Sequence, residues 1–137
     1  PSYTLDVGGA IYASGDVTAY SDERVKDNIV TISDALNKVR NMRGVNYTRN
    51  DIEDKSLKMG VVAQEVQKAI PEAVSYINDN KMEDGYKMIL DYNPIVANTV
   101  GAIKELNKII EQKDDQIRNL EDKLSKIELL LAKHGIA

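Results

Sequence analysis

The chain has 137 residues, 42% of them hydrophobic, with no Cys, Phe or Trp, so any core is built from aliphatic side chains and seven Tyr. A net charge of -4 argues against nucleic acid as main partner, because neutralising phosphates takes clustered Lys and Arg. Without Cys there is no disulfide framework or thiolate metal site, and no apolar run reaches membrane-spanning length. No metal, cofactor or membrane partner is expected. So thin a core favours association, and a start at Pro1-Ser2 rather than Met reads as the C-terminal piece of a longer protein.

Residues 3–20 carry short apolar alternations, Leu5/Val7, Ile11/Ala13 and Val17/Ala19, separated by Gly8-Gly9 and Ser14-Gly15-Asp16. These are strand and turn signals too short for a free-standing sheet. They must pair with something else, most simply with copies of themselves. From Thr31 the period changes: Ile32, Leu36, Val39 and Met42 share one helical face, and Gly44 is placed to stop the helix. Val45–Thr48 reads as a strand, followed by a polar loop through Lys58 and a second strand over Met59–Ala63. Gln64–Ile70 reads as a short helix ended by Pro71. Ala73–Ile77 and Tyr86–Tyr92 are the last strands, with Asn78-Asp79-Asn80 turning between them.

Asn93-Pro94 resembles a helix start, cap residue then proline. The helix is expected to run to His134, with Gly135 ending it. Ile103, Ile110, Ile117, Leu124 and Leu131 recur every seven residues, and Leu106, Lys113, Leu120, Ile127 and His134 form a second heptad row. No other helix in the chain is long enough to cover this seam, so it is expected to pack against partner chains. Mixed Ile and Leu leave two and three strands equally open. Lys113 and His134 on core rows read as register-setting or frayed positions, and His134 has no Cys or second His to share a metal with.

Where the β-like segment gives way to the α/β pattern, Ser21 precedes Lys26 by five residues. Serine needs a base to become a nucleophile, and lysine serves only as the free amine. That requires burial or nearby positive charge to depress its pKa by several units from about 10.4. Arg24, Val25 and Ile29 stand near enough to contribute. His134, the other candidate base, lies at the far end of the long helix. The Ser21 hydroxyl can reach the carbonyl of Tyr20 through a five-membered ring, and hydrolysis of the resulting ester would separate Tyr20 from Ser21. The plain alternative is a helix N-terminus, with Ser21 as cap, Asp22 and Glu23 in the first turn, and Lys26 solvated. Spacing alone does not choose, since Ser and Lys five apart occur everywhere.

Ser21-Asp22-Glu23-Arg24-Val25-Lys26-Asp27-Asn28-Ile29 resembles the Ser-Asp-x-Arg-Leu-Lys-x-Asn-Ile signature of intramolecular chaperone auto-processing domains. These serine peptidase-like domains end bacteriophage endosialidases, tailspikes, neck appendages and tail fibres, and occur in the myelin regulatory factor. Further blocks match in order: Ala35–Val39 before Gly44–Tyr47, Gly60–Val66 leading to Ile70–Val74, and Leu90-Asp91-Tyr92 before Ala102–Leu106. Leu5–Val17 resembles the β-structured end of a trimeric fibre. Val25 stands where Leu is usual.

The resemblance implies an α+β fold in three parts: a fibre end over 1–20, a mixed α/β head over 21–93, and a helix over 94–137 that forms a parallel trimeric coiled coil. It implies a chaperone that trimerises, aids folding of the upstream fibre segment of the same chain, and releases itself by autoproteolysis. Ser21 would be the nucleophile, Lys26 its base, and Tyr20–Ser21 the scissile bond. It would act in the host cell cytoplasm during virion assembly and be absent from the mature virion. Two other readings stay open: a retained coiled-coil cap without chemistry, and a Ser–Lys hydrolase acting on separate substrates.

Overall fold

The computed structural model describes residues 3–136. The chain divides into two units, Pro1–Val30 and Thr31–Ala137.

Among the described residues of the first unit the only regular element is a 3-10 turn, Glu23–Val25. The alternating segments of residues 3–20 form no strands in the single chain, and Leu5, Ile11, Tyr12 and Val17 are all exposed. The physical reason is the one that makes them need neighbours: a strand exists only by bonding to another, and Gly-punctuated segments of this length offer none within the chain.

The second unit is a small α+β domain leading into one long helix. Its elements are α1 (Ala35–Arg40), β1 (Val45–Tyr47), β2 (Lys58–Gly60), α2 (Ala63–Ala69), a 3-10 turn at Pro71–Ala73, β3 (Val74–Asn78), β4 (Tyr86–Leu90) and α3 (Tyr92–Lys133). There are two antiparallel hairpins, β1–β2 with Asn46 opposite Met59, and β3–β4 with Tyr76 opposite Met88. Val66, Ile70 and Ala73 are the buried centre, packed by Met42, Val61, Val74, Leu90 and Ile95. Helices α2 and α3, the 3-10 turn and strands β3 and β4 thus each add a side chain to a core with no aromatic ring in it.

Several boundaries differ from the expected ones: β2 ends at Gly60 and β4 at Leu90, short of Ala63 and Tyr92, because α2 and α3 take over the chain there, and both α1 and α3 start at shifted positions. Helix α1 begins at Ala35 rather than near Ile32, because Asp34 adopts the left-handed conformation (φ 56°). Its first amides are then satisfied from far along the chain. Glu105 of α3 accepts from Ala35 N at 3.1 Å and Leu36 N at 2.7 Å. A carboxylate in this position does what an N-cap side chain does, satisfying orphan donors and complementing the helix dipole. Helix α3 is capped by Asp91, whose carboxylate accepts from Asn93 N at 3.0 Å, so Asn93 and Pro94 lie inside the first turn. Proline is tolerated there because first-turn amides have no intrahelical partner. At the other end Gly135 (φ 69°) closes the helix. Its N–H donates to Ala132 O and that of Ile136 to Leu131 O, the paired bonds of a Schellman motif.

Helices α1 and α3 approach closely at Gly101, where a Cβ would stand 2.9 Å from the Cβ of fully buried Ala35. Alanine is the better helix former by up to about 1 kcal/mol, but overpacking a rigid contact costs about 1–3 kcal/mol. Gly101→Ala is therefore expected to lower the thermal midpoint by a few degrees, against the sign of its helix propensity. Circular dichroism melting checks the sign.

Beyond Glu105 every described residue of α3 is exposed. Its 42 residues measure about 63 Å at 1.5 Å each. Ile103, Ile110, Ile117, Leu120, Leu124 and Ile127 are each half or more exposed, so both heptad rows lie bare in the single chain. No helix among the described residues is long and apolar enough to cross a membrane.

The 48–58 loop is tied by charges. Arg49 grips Asp51 through two bonds of 2.9 and 2.6 Å. Lys87 of β4 bridges Asp79 at 2.7 Å and Asp51 at 3.6 Å, linking the two hairpins. Asp54 accepts from Lys58 Nζ, Ser56 N and Ser56 Oγ, all at 2.9 Å. The Lys58 ammonium and the Ser56 donors hold the Asp54 carboxyl down to about 2, from an ordinary 3.8. A carboxylate lowered on folding contributes stability above its unfolded value and loses it as pH falls through the folded one. Acidification from pH 4 to 2 should thus loosen this loop before the Val66 core. NMR chemical shifts of residues 48–58 followed against pH would show it, and Asp54→Asn should remove most of the transition.

Candidate active site

Ser21 and Lys26 are brought together in the first unit. Lys26 Nζ donates to Ser21 Oγ at 2.5 Å and to the Ser21 carbonyl at 2.7 Å. A five-residue separation in an extended chain would hold these Cα atoms about 16 Å apart, too far for the contact. The 3-10 turn Glu23–Val25 closes the distance, with Val25 N donating to Asp22 O and Lys26 N to Glu23 O, both at 3.1 Å.

The cap of this turn is Asp22, not Ser21. Asp22 Oδ1 accepts from Arg24 N at 2.8 Å, and the Arg24 side chain folds back onto the same carboxylate, Nε at 3.0 Å and Nη2 at 2.6 Å. The bonds from Arg24 hold the Asp22 carboxyl below the usual carboxylate range. The Ser21 hydroxyl is thereby left to Lys26. Sequence reading assigned Arg24 the task of discouraging charge on Lys26, yet the guanidinium is spent on Asp22. The Asp-x-Arg spacing was the available signal for this pairing.

Val25 and Ile29, read as apolar company for the lysine, are exposed at 70% and 67%. Ser21 and Lys26 are exposed too, and Tyr20 is 97% exposed. Among the described residues no donor bonds the Tyr20 carbonyl. Among the described residues the Ser21 hydroxyl is held against a lysine, with no enclosure around the pair and no donor to the Tyr20 carbonyl. Nor do the described residues include a cluster of three or more His, Asp and Glu able to hold a metal ion.

The Ser21–Lys26 contact thus precedes, in the sequence, a small α+β domain and a helix whose heptad rows are bare. Residues 21–75 match the profile of a peptidase family described as chaperone of endosialidase, and this segment of the chain belongs to that family. The matched region opens at Ser21. The chain is also similar to myelin gene regulatory factor-like A of Dictyostelium discoideum, 30% identical over 93% of this chain and 15% of that protein. It resembles the long tail fiber protein Gp37 of Salmonella phage S16, 32% identical over 84% of this chain and 16% of that protein. Gp37 of Enterobacteria phage K3 is 33% identical over 71% of this chain and 8% of its own length. The chain thus spans less than a fifth of these relatives.

Proposed function

We propose that this domain is an intramolecular chaperone that gathers three chains through α3, aids folding of the fibre segment preceding Ser21, and then cuts itself free between Tyr20 and Ser21. The observation that carries the reading is the 2.5 Å contact of Lys26 Nζ with Ser21 Oγ, in a chain similar to phage tail fibres. In this scheme residues 1–20 end the client fibre, 21–93 form the processing head and 94–137 the trimeric coil. The work is done in the host cytoplasm during virion assembly.

The chemistry needs no foreign substrate. With Lys26 as the free amine, the Ser21 Oγ proton passes to Nζ while Oγ attacks the Tyr20 carbonyl carbon. Collapse of the tetrahedral intermediate breaks the Tyr20–Ser21 C–N bond, and the proton held on Nζ goes to the departing Ser21 amine. Water then hydrolyses the ester, giving a Tyr20 carboxylate and restoring the Ser21 hydroxyl. The enclosure that favours a neutral lysine, and the donors for the oxyanion, come from neighbouring chains. Cleavage would therefore follow assembly.

A coiled-coil cap that stays attached would use the same bare seam without the dyad. The mass of the expressed chain together with its oligomeric state separates the two. The proposal expects a fragment beginning at Ser21 in a trimer, whereas an intact chain in a folded trimer favours the cap.

A further inference from the structure

We propose that Asp22 and Arg24 are positioning residues for self-cleavage, forming a clamp whose task is to hold Lys26 against Ser21. The inference rests on the reading of that pair as the cleaving dyad. A single three-residue turn is costly to nucleate, because several dihedrals are fixed for very few hydrogen bonds. Val25, β-branched, adds no helical preference. Left to its backbone, the segment 21–26 would spend much of its time extended, with the lysine out of reach of the hydroxyl.

Asp22 opposes this in two ways. Its Oδ1 caps the turn through Arg24 N at 2.8 Å. Its carboxylate also receives the Arg24 guanidinium through Nε at 3.0 and 3.2 Å and Nη2 at 2.6 Å. All these bonds start and end within residues 22–24, and the Arg24 side chain is 84% exposed. They join the turn to nothing else. Exposed ion pairs contribute little to global stability, so a pair of this kind counts chiefly where a small bias decides a local equilibrium. That equilibrium is between turned and extended forms of the segment spanning the dyad.

The test is the first-order rate of cleavage of the full chain, with oligomeric state and melting temperature measured on each variant. Asp22→Ala removes cap and clamp and should slow cleavage roughly tenfold, the size of a lost cap. Arg24→Ala keeps the cap and should cost roughly threefold, as a weak exposed pair does. Asp22→Asn, which still accepts from Arg24 N, should recover most of what Asp22→Ala loses. The double variant Asp22→Ala with Arg24→Ala should be no slower than Asp22→Ala alone, because the two act as one unit. Oligomer and melting temperature should match wild type throughout. A wild-type rate in Asp22→Ala would overturn the clamp. So would an Asn variant no faster than the Ala one, or rate lost only together with the oligomer. Ser21→Ala keeps the two readings apart. If that variant is still cut at Tyr20–Ser21 the dyad itself falls, whereas an uncut Ser21→Ala beside a wild-type Asp22→Ala rate removes only the clamp.

Discussion

Ser21→Ala and Lys26→Ala are each expected to leave the chain as one full-length species where wild type gives two, while the oligomer still forms. The expected loss for the lysine is large because a positioned general base contributes about 10²–10⁴-fold, and among the described residues no other side chain bonds the Ser21 hydroxyl. The bonds that Lys26 Nζ makes are to Ser21 Oγ and the Ser21 carbonyl. Ser21→Ala removes the attacking atom outright. Lys26→Arg is the sharper variant: it keeps a cation and a hydrogen-bond donor yet cannot deprotonate. If Lys26→Arg cleaves normally, the lysine acts as a donor and not as a base. If both alanine variants still part at Tyr20–Ser21, another group is responsible. Denaturing electrophoresis with intact mass reads all of these outcomes.

The second large effect is expected in α3, at residues with no part in the proposed chemistry. Ile117→Asp with Leu120→Asp should reduce the chain to a monomer and abolish cleavage, although Ser21 and Lys26 are untouched. Both side chains lie on the bare heptad rows, exposed at 52% and 63% in the single chain. Fully burying one such side chain is worth about 1.5–3 kcal/mol, and an assembly of three chains repeats each position three times. An unpaired carboxylate on those rows removes that gain and adds the cost of desolvating a charge. Without neighbours the exposed dyad keeps its water. Sedimentation and cleavage measured on the same samples check the coupling. A monomer that still cuts itself at the wild-type rate would show that the head alone completes the site.

How much of this was written in the sequence varied with the range of the interaction. The long helix and its heptad rows were legible because Ile and Leu at seven-residue spacing need no tertiary information. The β3–β4 hairpin and the stop at Pro71 were legible from local alternation and a missing donor. The start of α1 was not, because it is set by Glu105, some 70 residues away, and by a left-handed Asp34. At the site, the five-residue interval pointed to Ser21 and Lys26 but not to how they meet. The spacing of Asp22 and Arg24 was visible, yet charge alone suggested that Arg24 acts on Lys26. Its contacts give the guanidinium to Asp22. The strands expected before Tyr20 do not form: among the described residues 3–20 no segment pairs with another.

A single residue, Asp91, separates β4 from the 42-residue helix α3, and its N–H is bonded to Ala73 O at 2.8 Å. So short and fastened a joint gives the helix no swivel. In a bundle of such chains, slipping one helix by one heptad would carry its head about 10 Å along the axis. In the proposed assembly the rod would be a ruler as well as a clasp, and a misaligned coil would present mismatched heads.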